Sequence, residues 1–98
     1  MNSAPIKILL AEDDDGHATL IQRNLQRVGL SSEISRIRDG QEAIDYVARR
    51  TQPNSGAAGG SLIMLLDINM PRLDGVTVLK MLKVDPRTAR IPVIMLSR

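Results

Sequence analysis

Apolar positions along this chain alternate between two rhythms. Ile6–Ala11 (IKILLA) is a short, mostly apolar run with β-branched members, stopped by Glu12, Asp13, Asp14 and Asp15, and it predicts a buried strand running into a polar loop. From His17 onward, Ala18, Ile21, Leu25 and Val28 recur at spacings of three and four, which places them on one helical face, and Gly29 is positioned to end that helix. Glu33–Arg38 (EISRIR) is polar and weakly patterned, which suits an edge strand. Asp39-Gly40 reads as a turn, after which Ala43, Ile44, Val47 and Ala48 form the stripe of a second helix ending near Arg50. Thr51–Ser61 (TQPNSGAAGGS) contains no apolar residue larger than alanine and reads as a mobile surface loop.

Leu62–Leu66 (LIMLL) is the most apolar segment, as a central parallel strand covered on both faces requires, and it stops at Asp67. After the turn 68–75 (INMPRLDG), Val78, Leu79 and Leu82 mark a third helix closed by Asp85-Pro86, and Pro92 introduces a last strand, Val93–Leu96. Strands alternating with helices imply right-handed crossovers and an α/β fold, a doubly wound parallel sheet with helices on both faces. No internal repeat and no second domain interrupts residues 1–98.

Composition narrows the class of function. With 43% hydrophobic and 24% charged residues the chain is globular and soluble, and with no Phe, no Trp and only Tyr46 its core is aliphatic. The absence of cysteine removes disulfides, thiolate metal sites and thiol nucleophiles, and it fits a cytoplasmic protein. No apolar run reaches membrane-spanning length and no secretory signal opens the chain. The net charge of +2 is scattered, so nucleic-acid binding has no support; Arg36, Arg38, Arg49 and Arg50 read as solvated. Met64, Met70, Met81 and Met95 read as packing residues.

The acids carry the chemistry. In an open parallel sheet the C-terminal strand ends share one edge, where ligands bind, so Glu12 and Asp13 meet Asp67 from more than fifty positions away in sequence. Three carboxylates so close repel one another unless one holds a proton or a cation neutralises them, and all-oxygen donors suit magnesium. Asp67 then serves as a nucleophile toward phosphorus, because the metal offsets the charge that accumulates there. Asp14 or Asp15 suits a helix cap, and His17 reads as a solvated helix residue rather than a ligand.

The ordered motifs ILLAEDD, LLDINMPRLDG and IPVIMLS, spread over essentially the whole chain, resemble the receiver domain of two-component response regulators. The long loop before the third strand and the INMP turn are similar to the single-domain, phytochrome-associated type. The resemblance implies a flavodoxin-like receiver fold with strand order 2-1-3-4. It implies a signalling protein rather than an enzyme, phosphorylated on Asp67 by a sensor histidine kinase of phytochrome type. It makes Glu12, Asp13, Asp67 and the backbone carbonyl of Asn69 the Mg2+ ligands, and Ser97 the hydroxyl that swings toward the phosphoryl group.

The sequence also departs from the family. Receivers continue with another helix, a fifth strand bearing a lysine and an aromatic switch residue, and a final helix, all of which are missing from these 98 residues. Lys7 is no substitute, since six residues at about 3.3 Å each set it roughly 20 Å from Asp13. Lys80 and Lys83 fall on the third helix. The strand Val93–Leu96 is left as an apolar edge, so the domain is expected to be a C-terminally incomplete fragment or to associate through that edge, as a homodimer for example. A magnesium-dependent phosphatase is the competing enzyme, but it needs an acid two residues after the nucleophile, where Asn69 stands. An unphosphorylated pseudo-receiver is the third alternative, and flavin binding is disfavoured by the acids after the first strand.

Overall fold

The computed structural model describes residues 6–29, 33–51 and 61–96. The two rhythms become β1 (Ile6–Ala11), α1 (Asp15–Arg27), β2 (Ile34–Ile37), α2 (Gly40–Arg50), β3 (Ser61–Asp67), α3 (Gly75–Val84) and β4 (Val93–Leu96). All strand pairs are parallel and the sheet order is β2-β1-β3-β4, the doubly wound arrangement that the alternation implies. The chain winds from β1 outward to β2, then crosses back to build β3 and β4 on the other side. The winding therefore reverses between β1 and β3, and a crevice opens at their C-terminal ends.

Strand alternation assigns the core. Leu9, Ala11, Leu62, Met64 and Leu66 face α2 and α3, where they are buried with Ala43, Val47, Val78 and Leu82. Ile8, Leu10 and Leu65 face the other way, toward Ala18 of α1 and the half-buried Ile21 and Leu25. Each fully buried aliphatic side chain contributes about 1.5–3 kcal/mol, so the face carrying α2 and α3 supplies most of the stability. Central β3 is buried from Met64 to Asp67, while β2 is half-buried throughout, as its polar sequence predicts for an edge.

Several details differ from the sequence reading for local reasons. α1 starts at Asp15, ahead of His17, because the Asp14 side chain accepts from the His17 N–H and caps the helix. Asp39-Gly40 is a helix start and not a free turn: Asp39 accepts from the Glu42 N–H at 2.9 Å, and Gly40 opens α2. Asp74 and Gly75 repeat this arrangement at α3. Val28 leaves the apolar stripe because it is the C-cap of α1, and it is 67% exposed; Gly29 follows it with φ +83°. Ala48 and Met81 are exposed along a groove of about 170 Å³ between α2 and α3, so Met81 is not a core residue as Met64 and Met70 are. Thr51 caps α2 and Ser61 opens β3, while residues 52–60 of the expected loop lie outside the described residues. No described helix is long and apolar enough to cross a membrane.

Candidate metal centre

Register brings the acids together. Ala11 stands opposite Leu66, so the next residue on each strand, Glu12 and Asp67, sits at the same height beside the crevice. Glu12, Asp13 and Asp67 each present a carboxylate oxygen within 4.8 Å of the other two. Glu12 and Asp67 have no exposed surface, and Asp13 is half-buried.

The loop after β1 is held by side chains. Glu12 Oε1 lies 2.5 Å from His17 Nδ1, and its Oε2 accepts the Asp14 N–H at 3.1 Å. Its backbone carbonyl accepts Arg36 Nε at 3.0 Å from β2, and Arg36 Nη1 reaches Asp15 at 2.7 Å. His17 is therefore not a freely solvated residue, since the turn set by the Asp14 cap swings its ring back onto Glu12. Arg36 is not solvated either, because the register of β2 beside β1 aims it at the loop; Arg38 stays 60% exposed and pairs with Asp15.

The loop after β3 is held by its backbone. Asp67 Oδ1 accepts the Asn69 N–H at 3.2 Å, and the Gly75 N–H donates to Ile68 O at 2.8 Å, folding the loop back on itself. A Cβ on Gly75 would lie 2.3 Å from Asp67 O, and one on Gly40 would lie 2.0 Å from Leu73 O, so both glycines are required by close backbone approach. Arg72 has a left-handed φ of 69°, and its guanidinium meets Asp39 at 3.3 Å.

Burial pushes the Glu12 carboxyl above its ordinary value and the Asp14 N–H pulls it back; hydrogen bonding with Asp67 raises it, His17 lowers it, and the charge of Asp67 raises it again. The centre therefore carries more negative charge than it comfortably holds, and a divalent cation relieves this. Three hard oxygen donors and no thiolate fit such an ion. Ser97 lies outside the described residues; its predecessor Leu96 pairs with Asp67. Lys7 pairs with Glu33 as the second residue of β1, at the far end of the strand, and Lys83 donates to the carbonyls of Ala89 and Ile91.

The acids are visible in the sequence, whereas the holding roles of His17, Arg36 and the two glycines are not. The repeated Asp-Gly pair at the two helix starts was the available signal for the glycines, and helical spacing from the Asp14 cap was the signal for His17. Nothing in a single sequence announces Arg36, whose role depends on strand register.

Residues 8–98 match the response regulator receiver domain family. The chain is 38% identical over 93 residues to a probable methanogenesis regulatory protein, FilR2, of Methanothrix harundinacea, covering 95% of this chain and 58% of that one. Among solved structures, the phosphorylated cyanobacterial phytochrome response regulator RcpA matches with a TM-score of 0.77 and 37% identity, covering 97% of this chain and 66% of that one. The Mn2+-bound form of response regulator Rcp1 matches with a TM-score of 0.77 and 32% identity, covering 95% and 65%. The chain thus spans about three fifths of the length of the curated relative. With the fold, the acidic crevice and the family match in agreement, the chain belongs to the response regulator receiver domain family.

Proposed function

We propose that this receiver takes a phosphoryl group on Asp67 from a histidine kinase and relays the signal by shifting between two conformations. The observation that carries the reading is the buried Asp67 at the end of β3, with Glu12 and Asp13 inside 4.8 Å at the point where the winding reverses. Mg2+ would be held by Glu12, Asp13, Asp67 and the backbone carbonyl of Asn69. When bound, it would offset the charge that gathers as a carboxylate approaches phosphorus. A carboxylate oxygen of Asp67 forms the new P–O bond, while the bond from phosphorus to the donor imidazole breaks and the imidazole keeps the electron pair. The Mn2+-bound form of Rcp1 supports a divalent ion in this role.

Ser97, one residue beyond the strand partner of Asp67, is the proposed hydroxyl that answers phosphorylation. The likeness to RcpA supports a phytochrome-type kinase in the cytoplasm as the donor. Receivers relay signals, so this reading assigns the chain no enzymatic turnover of its own. Association through β4, one of the two sheet edges among the described residues, where Ile94 is 53% exposed, belongs to the same reading. A light-scattering mass that rises toward the dimer with concentration is the expected result.

The direct test is incubation with Mg2+ and acetyl phosphate, followed by intact-mass measurement. The expected product is one acid-stable, base-labile phosphoryl adduct, lost in Asp67→Asn. A folded chain that forms no adduct would replace this reading with a pseudo-receiver, and continuous phosphate release from many esters would replace it with a phosphatase.

A further inference from the structure

Glu12 has one more methylene and one more rotatable bond than its neighbour Asp13, so its carboxylate needs more restraint to stay in a single position. Two contacts supply it. The Asp14 N–H holds Oε2 at 3.1 Å, and the His17 ring holds Oε1 at 2.5 Å. His17 carries the ring on an anchored backbone, because its N–H donates to Asp14 Oδ2 at 2.7 Å in the first turn of α1. Its side chain is only 25% exposed, and Arg36 secures the Glu12 backbone from the β2 side.

We infer that His17 is a positioning residue for the cation: its Nδ1–H fixes the orientation in which the Glu12 carboxylate faces the ion or a water on it. The inference rests on the functional reading above, in which Glu12 is a ligand. An ionised Glu12 only accepts, so the ring atom facing it must carry the proton, and Nδ1–H is the tautomer the arrangement requires. A partner that orients a ligand without touching the metal sets affinity through preorganisation.

The test is titration of the chain with Mn2+ and no phosphodonor, followed by electron paramagnetic resonance of the free ion. His17→Ala is expected to weaken binding about tenfold. His17→Asn places an amide N–H where Nδ1 stood and is expected to recover most of the affinity. His17→Gln reaches past that point and is expected to stay weak. Thermal unfolding with chelator should place the folded variants near wild type, which a merely structural role would not predict alongside lost affinity. If His17→Ala unfolds, the Asn and Gln pair carries the comparison. Wild-type affinity in His17→Ala, or in His17→Gln, overturns the inference, as does an Asn variant no tighter than Gln. The functional reading fails separately, whatever His17 does, if wild type binds no Mn2+ or if Asp13→Asn binds it as tightly as wild type.

Discussion

The two loops that meet at the acidic crevice are built on opposite principles. The loop after β1 is secured by side chains: His17 reaches in from α1 and Arg36 from β2, and Asp14 caps the helix from within the loop. The loop after β3 is secured by its own backbone packed against glycines at the starts of α2 and α3. Polar anchors hold a group in place through interactions of roughly 1 kcal/mol each and can be removed singly. Steric anchors work by exclusion, so one added methyl group defeats them. The first loop carries two acids that must be aimed, and the second carries Asp67 at the end of a buried strand, where the sheet already aims it.

Glycine replacement breaks this comparison most sharply. Gly40→Ala, with backbone of Leu73 in the way of the new Cβ at 2.0 Å, is expected to cost about 3 kcal/mol, as overpacking against rigid backbone does. Gly16, on the first loop's side in α1, has only Asp14 Oδ2 at 3.5 Å, an ordinary contact. Gly16→Ala is expected to stabilise by about 0.5–1 kcal/mol, because alanine loses less freedom in a helix. Urea denaturation of the two variants checks the pair. Equal effects would mean that the second loop is not held sterically.

Arg36→Met addresses the first loop and should have the next largest effect. It removes the bond to the Glu12 carbonyl and the contact with Asp15, and the expected loss is about 1–2 kcal/mol. Part of that loss is returned, because Arg36 Nη2 is buried without a hydrogen-bond partner in the native fold. Arg72→Gly should do less. It relieves a left-handed φ and gives up an ion pair whose arginine is 62% exposed, so the net change is expected within about 1 kcal/mol and on the stabilising side. A loss above that in denaturation would show that the second loop leans on a polar anchor after all, and the contrast between the loops would shrink.

The same contrast explains what was legible in the sequence. Strand order, helix faces and the meeting of Glu12, Asp13 and Asp67 follow from periodicity and from the rule for parallel sheet edges, since both depend on residues acting where they stand. Helical spacing alone does not tell a core stripe from a cap or a groove wall, so it puts Val28 and Ala48 on stripes that they leave. His17 and Arg36 read as solvated in the sequence because their partners are set by cap geometry and strand register, which composition does not encode. The glycines at 40 and 75 were visible, but the backbone they admit was not.

The smallest effect to look for is in pH. Asp15 is held below its ordinary 3.8 by the Arg36 hydrogen bond and the charge of Arg38, Asp74 by the Thr77 N–H, and Asp85 by Arg87. For these three acids the folded state binds fewer protons than the unfolded chain, so their contribution is present above 3.8 and lost as pH falls through their lowered values. Glu12 has the opposite sign. Its folded value lies above 4.5, so the folded state keeps a proton that the unfolded chain has released, and stability declines as pH rises from 4.5 through the raised value. With chelator present, thermal midpoints are therefore expected to fall as pH climbs out of the acid range, and Glu12→Gln should flatten that descent. If Mg2+ binds as proposed, it should flatten the descent too, because the cation would take over what the proton does at low pH. Persistence of the full descent in Glu12→Gln would mean that the burial of Glu12 does not set it, and the first loop would then be the relaxed one of the pair.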